Sequence, residues 1–179
     1  DTIRRLTIMQ LIMLQLRDLP TPDVLRKFAA RYPEADVSAV ASFLTLLRVA
    51  TELSQALDGF LARHGLLQGR WWVLILLMRE EALESSPSVL AQKAGVTRAT
   101  MTGLLDGLER DGLVQRVFDT ADRRRLTVRL LPAGQAVLDA VMPDYYRRVR
   151  TVMAGLDEAQ RGALQAMLGV VQSGTGAFA

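Results

Sequence analysis

The chain has no cysteine and a single histidine, His64. Without cysteine there is no disulfide, no thiol redox sensor and no cysteine nucleophile. One histidine cannot build a conventional zinc site alone. There is no glycine-rich phosphate loop and no paired carboxylate site, so the residues an enzyme needs are missing and no cofactor is implied. Charge is also scarce: 23% of the 179 residues are charged and half are hydrophobic. That proportion is high for a monomer of this size and predicts apolar surface buried between subunits. The segment from Ile3 to Leu16 is apolar nearly all round but is broken by Thr7, Gln10 and Gln15. It falls short of the ~20 residues a bilayer span requires. Arg4 and Arg5 precede it as in a signal peptide, but charged residues rather than a small-residue cleavage site follow. A helix apolar on all sides is expected to be buried on all sides, here across a dimer interface. The chain starts at Asp1 rather than methionine, which reads as a trimmed start.

What is present is concentrated in one place. From Leu113 to Leu131 there are five arginines against two aspartates, a net of +3, and the whole chain is also +3. Everything outside this stretch therefore sums to zero. Val114 and Arg116, then Thr127 and Arg129, alternate with apolar neighbours at the two-residue period of a strand. The pattern predicts a hairpin whose tip carries Asp119, Asp122, Arg123, Arg124 and Arg125. A basic tip on an otherwise neutral chain is an electrostatic footprint for a polyanion, most often nucleic acid.

The residues before the hairpin point the same way. Ser86-Pro87-Ser88 is a helix start, since serine caps and proline suits the first helical position. Gly95 breaks that short helix, and Thr97 can cap a second one running to Gly112. Val96, Met101, Leu104, Leu105 and Leu108 give the second helix an inward face, while Arg98, Thr100 and Thr102 are exposed on its first turns. Helix, glycine turn, helix, basic hairpin is the order of a winged helix-turn-helix.

On these residues the chain resembles the MarR family of transcriptional regulators, over about Ser38 to Ser173. The matching motifs are Gly95-Val96-Thr97, the run from Leu104 to Val114, the tip Asp119-x-x-Asp122-Arg123-Arg124, Leu-Thr-x-x-Leu at 126–130, and Pro132-x-Gly134. The resemblance implies a mainly α fold with a small β-hairpin wing and an intertwined helical dimerisation region. Its expected parts are an N-terminal helical extension over 1–37, dimerisation helices over 38–66 and 132–179, and a DNA-binding lobe over 67–131. A helix from about Ser38 to His64 carries two apolar stripes, and Pro143 is expected to kink or divide the helix that Pro132 opens. Asp157 with Gln160 is a capping-box variant at the start of the last helix.

The implied function is a cytoplasmic repressor that binds an inverted-repeat operator as a homodimer, with half-sites about 34–36 Å apart or multiples of that. Arg98 is the best base-reading candidate, because its planar fork matches guanine O6 and N7. Thr97, Thr100 and Thr102 are candidates for phosphates, bases or thymine methyls. Ser88 is placed to hold a phosphate at a helix start. Arg123 is expected in the minor groove, as this family's tip arginine is. Asp122 would orient a neighbouring arginine, Arg116 and Arg129 would sit on the wing's outer face, and Arg124 and Arg125 complete the basic tip.

In this family a small aromatic acid often binds beside the DNA-binding lobe. The matching residues are Arg48, His64, Arg70, Trp71 and Trp72, with Arg70 for a carboxylate and one tryptophan for a ring. Hydroxybenzoate-like or hydroxynicotinate-like acids are the implied effectors. Two alternatives stay open: a winged helix used only for protein contacts, and a DNA-binding regulator with no small-molecule ligand.

Overall fold

The structure, a computed structural model, describes residues 18–118 and 126–178. It is mainly helical with one small antiparallel sheet, the architecture of a winged helix-turn-helix. The chain divides into two compact units at Gln68/Gly69.

In the first unit, α1 (Pro22–Arg31) starts where Thr21 accepts a hydrogen bond from the Val24 N–H and Pro22 takes the first helical position. The long helix α2 (Val37–Ala62) is capped by Asp36, whose Oδ1 accepts from the backbone N–H of Ser38 at 2.9 Å and of Ala39 at 3.0 Å. These bonds stabilise the ionised carboxylate and lower the Asp36 pKa, the Ala39 bond most of all. Leu25, Phe28, Val37, Val40 and Leu44 line an apolar pocket of about 190 Å³ between α1 and α2. Among the described residues α2 is the one helix long and apolar enough to cross a membrane by length and composition. Arg48 and Glu52 pair in its middle at 2.8 Å.

The second unit holds the helix-turn-helix. Helix α3 (Gln68–Met78) is apolar on most sides and buries Trp71, Val73, Leu74 and Leu77. A two-residue strand, β1 (Glu84–Ser85), follows, then α4 (Pro87–Ala94) and α5 (Arg98–Arg110). Strands β2 (Val114–Phe118) and β3 (Leu126–Leu130) form the hairpin in the register Val114↔Leu130 to Phe118↔Leu126. Alternation holds in β3, whereas in β2 the face carrying Val114 and Arg116 is the inner one. Val114, Val128 and Leu130 are buried, as are Met101, Leu105 and Leu108 of α5, and Arg129 faces outward.

The sheet has a third strand that the hairpin pattern does not announce. β1 pairs with β3 on the side away from β2, Glu84 opposite Arg129. Leu83 enters it at φ 55, and its carbonyl accepts from the Leu130 N–H at 2.9 Å. That bond helps hold a leucine in a left-handed conformation that L-residues rarely adopt.

Helix α6 (Pro132–Val152) runs on through Pro143. The division expected there does not occur. Proline removes one backbone hydrogen bond, and the buried side chains of Leu138 and Val141 anchor the helix just before it. Asp144, in the next turn, accepts from Arg148 at 2.9 Å and from Arg147 at 3.3 Å. The last helix, α7 (Glu158–Ser173), opens with the full capping box: Gln160 N–H to Asp157 Oδ1 at 2.8 Å and Asp157 N–H to Gln160 Oε1 at 2.9 Å.

Candidate nucleic-acid interface

Helices α4 and α5 are joined by the shortest of turns. Gly95 sits at φ 65, where a side chain would be strained, and its N–H closes on the Gln92 carbonyl at 3.2 Å. Thr97 then starts α5: its Oγ1 accepts from the Thr100 N–H at 3.1 Å and shares a hydroxyl–hydroxyl bond with Thr100 at 2.9 Å. Both hydroxyls are thus engaged with each other, though both side chains remain exposed. Thr102 donates to the Arg98 carbonyl at 3.0 Å, which leaves its methyl group and the oxygen lone pairs facing out. Arg98 is exposed at the first position of α5 and makes no hydrogen bond or ion pair with the described residues.

At the start of α4, Ser86 rather than Ser88 is the cap, accepting from the Val89 N–H at 3.3 Å. Ser88 is exposed and shares a hydroxyl bond with Ser86 at 3.0 Å. In this first turn Pro87 has no N–H, and those of Val89 and Leu90 are bonded to Ser86.

Arg116 is not on the outer face of the wing, where its charge would put it: it lies two residues from buried Val114 and opposite buried Val128, on their inner face. Its side chain is only 19% exposed and is drawn onto α5, bonded to Asp106 Oδ1 at 2.7 Å and Glu109 Oε2 at 2.8 Å. Burial alone would lower its pKa, but the bonds and charges of Asp106 and Glu109 outweigh burial and hold it above the ordinary value. Arg129 is on the outer face as expected, paired with Glu84 at 3.0 Å. Asp122, Arg123, Arg124 and Arg125 lie outside the described residues.

The residues expected at an effector differ in burial and in partners. Arg70 is half-buried, holds Asp111 at 2.7 Å, and lies over Gly107 so closely that a methyl group there would meet its guanidinium. Trp71 is 1% exposed and meets Tyr145 edge-on at 4.9 Å, so it belongs to the core. Its Nε1 is buried without a hydrogen-bond partner among the described residues. Trp72 is 40% exposed, with its ring 4.5 Å from that of Trp71. Arg48 is engaged with Glu52, and exposed His64 sets its ring edge-on to Phe60 at 5.0 Å. Among the described residues no cluster could hold a metal ion.

A sequence model of the MarR family matches residues 64–125, the span from the end of α2 to the hairpin tip. Over 156 residues the chain is 31% identical to the HTH-type transcriptional repressor YetL of Bacillus subtilis (strain 168), covering 87% of this chain and 93% of that one. The chain belongs to the MarR family.

As a MarR-family protein it is a transcriptional regulator and not an enzyme. It is also 30% identical over 92 residues to the homoprotocatechuate degradative operon repressor of Escherichia coli, covering 51% of this chain and 61% of that one. Its fold is similar to that of Sco3205, a MarR-family transcriptional regulator from Streptomyces coelicolor solved in complex with DNA. The TM-score is 0.73 at 25% identity, over 78% of this chain and 89% of that one. Within this MarR-family framework, sequence reasoning missed the third strand, the Arg70–Asp111 pair and the inward turn of Arg116. Only the last had a signal: Thr102, Asp106 and Glu109 recur on one face of the helix, opposite a basic strand.

Proposed function

We propose that this regulator binds an inverted-repeat operator as a homodimer, represses from it in the cytoplasm, and is released by a small aromatic acid. The observation that carries the reading is α5. Its first turn presents Arg98, Thr100 and Thr102 to solvent, and a basic hairpin follows directly after it. An exposed arginine with no partner among the described residues, beside two threonines, is suited to base edges in a major groove. Arg123, with Arg124 and Arg125, supplies phosphate and minor-groove contacts, with Asp122 orienting the tip.

The homodimer is supported by apolar surface. Leu47, Val49 and Leu53 on α2 are 43–50% exposed, and Met167, Val170 and Val171 on α7 are 47–72% exposed. Such patches on long helices mark association surfaces. A two-fold dimer would present two copies of α5 to a palindromic site.

The effector class rests on likeness to a repressor named for an aromatic acid's degradative operon. Arg70 would receive the carboxylate, exchanging it for Asp111, and the exposed ring of Trp72 would stack. Trp71 supports that ring from the core. Arg48 and His64 are less favoured, because Arg48 already has Glu52 and His64 lies against Phe60.

The test is fluorescence anisotropy of the purified protein on its own upstream duplex and on a scrambled one, with salt and a panel of hydroxybenzoates and hydroxynicotinates varied. Sequence-dependent, salt-sensitive binding released by one acid is expected. Tight binding indifferent to every acid would remove the effector and keep the DNA function. A loss of the DNA preference, with binding that salt does not weaken, would favour a protein-contact role instead.

A further inference from the structure

We infer that Arg116 is a positioning residue for DNA recognition: it locks the recognition helix α5 to the first wing strand through Asp106 and Glu109, and does not contact DNA itself. The inference rests on the DNA-binding reading above. Glu109 grips Arg116 twice. Its Oε1 accepts from the Arg116 backbone N–H at 2.9 Å, and its Oε2 accepts from Nη1 at 2.8 Å. The second arm of the fork, Nη2, reaches Asp106 Oδ1 at 2.7 Å and the Thr102 carbonyl at 3.4 Å. The three helix residues engaged lie at i, i+4 and i+7, so one side chain spans about two turns along a single face of α5.

This arrangement does two things. It fixes the angle and height of α5 relative to β2, and therefore of Arg98 and Thr102 relative to the wing strands. A recognition element held to within fractions of an ångström by packed and bonded neighbours reads bases better than one left loose. It also places a cation between two carboxylates on the helix that approaches DNA. Left alone, Asp106 and Glu109 would repel phosphate. A guanidinium already bonded on both arms has little left to offer a phosphate, in contrast to Arg98. Lysine could keep the charge but not the fork, since its ammonium is a single point of donation.

The experiment is anisotropy of the full-length chain on its upstream and scrambled duplexes across a salt series, for wild type, Arg116→Lys, Arg116→Ala, Glu109→Gln and the Arg116→Lys/Glu109→Gln double variant. Circular dichroism would confirm that each is folded at the assay temperature. Arg116→Lys and Glu109→Gln should each weaken binding to the upstream duplex about tenfold, narrowing the preference over scrambled DNA with the salt slope unchanged. The double variant should lose no more than the worse single one, because both changes break the same connection. The inference is overturned if Arg116→Lys binds as wild type while Arg116→Ala lowers the salt slope by about one, the behaviour of a phosphate contact. It is equally overturned if Glu109→Gln tightens binding. A wild type indifferent to duplex sequence would instead refute the DNA-binding reading, and the inference with it.

Discussion

Three glycine-to-alanine substitutions add the same methyl group to helices and should move stability in three different ways. Gly103 and Gly107 lie within α5, and Gly134 lies in the first turn of α6. Among the described residues, a Cβ at Gly103 meets nothing within 4 Å. There the ordinary preference of a helix for alanine applies, and Gly103→Ala should stabilise by about 1 kcal/mol. A Cβ at Gly107 would stand 2.1 Å from Arg70 Nη2 and 2.5 Å from its Cζ. The guanidinium is the end of a flexible chain and can swing away, at the loss of its bond to Asp111. With side chains 20% and 42% exposed, that pair is partly screened by solvent. Its loss offsets most of the helix gain, at up to about 1 kcal/mol, so the net is near zero. At Gly134 the Cβ would lie 2.3 Å from the Leu113 carbonyl oxygen and 2.8 Å from Leu130 Cδ1, where ordinary contact begins at 3.4 Å. This neighbour is backbone, and it also accepts from the Leu131 N–H at 3.0 Å. Relief needs a shift of α6 or of the turn entering β2, and so close an approach to backbone puts the overpacking cost in the upper part of its range, about 2–3 kcal/mol, against a helix gain of about 1 kcal/mol. Gly134→Ala should therefore lose about 1–2 kcal/mol and lower the melting temperature by about 2–4 °C per kcal/mol. Urea unfolding followed by far-UV circular dichroism at one fixed protein concentration measures all three, since an oligomer's stability depends on concentration. A Gly134→Ala protein as stable as wild type would refute the close seating of α6 on the Leu113 carbonyl. A destabilised Gly103→Ala would refute the open face of α5.

Arg98→Ala should lower discrimination at one base position per half-site by about 1–3 kcal/mol, read by competition with base-substituted duplexes. An equal loss on random DNA would contradict base reading there. Arg70→Gln should raise the acid concentration for half-release of DNA roughly tenfold or more, the loss expected for a hydrogen bond to a charged group. An unchanged midpoint would remove Arg70 from the effector site. The lowered pKa of Asp36 means that its cap stabilises fully above its unfolded value and fades as pH falls through the folded one. Asp36→Asn keeps a capping oxygen but cannot titrate. Its thermal midpoint should therefore fall less steeply than that of wild type below about pH 4. Identical acid slopes would show that the cap carries no acid sensitivity.

The helix boundaries were legible because their signals are local. Ser86-Pro87, Gly95, Thr97 and the Asp157-Gln160 box each act within a few residues of themselves, and each does in the structure what its chemistry requires. The two wing strands were legible because burial imposes a period of two. Strand β1 was not, because two residues are too short to show any period, and what holds them is pairing with β3 some 45 positions away. Arg116 was misplaced for a related reason. Its charge suggested the exposed face, but the pairing register sets it two residues from buried Val114 and opposite buried Val128, on the inner face that meets the carboxylates of α5. The uninterrupted passage of α6 through Pro143 shows the same limit, since tertiary anchoring overrides a local breaker. Among the effector candidates, no sequence signal separates Trp71 from Trp72. Adjacent helix residues point about 100° apart, and only the packing of Tyr145 decides which of them is enclosed.

That pair of tryptophans makes the protein its own optical probe. They are the only two in the chain, and they sit in opposite surroundings within one helical turn: Trp71 sealed in a dry interior and Trp72 open to water. Their emission should separate into a blue component blind to dissolved quenchers and a red one that iodide or acrylamide extinguishes. A molecule that stacks on the outer indole would shield the red component and leave the blue one untouched, whereas loosening of the interior would shift the blue one first. Occupancy and disorder can thus be told apart on the unlabelled protein, in a cuvette and without DNA.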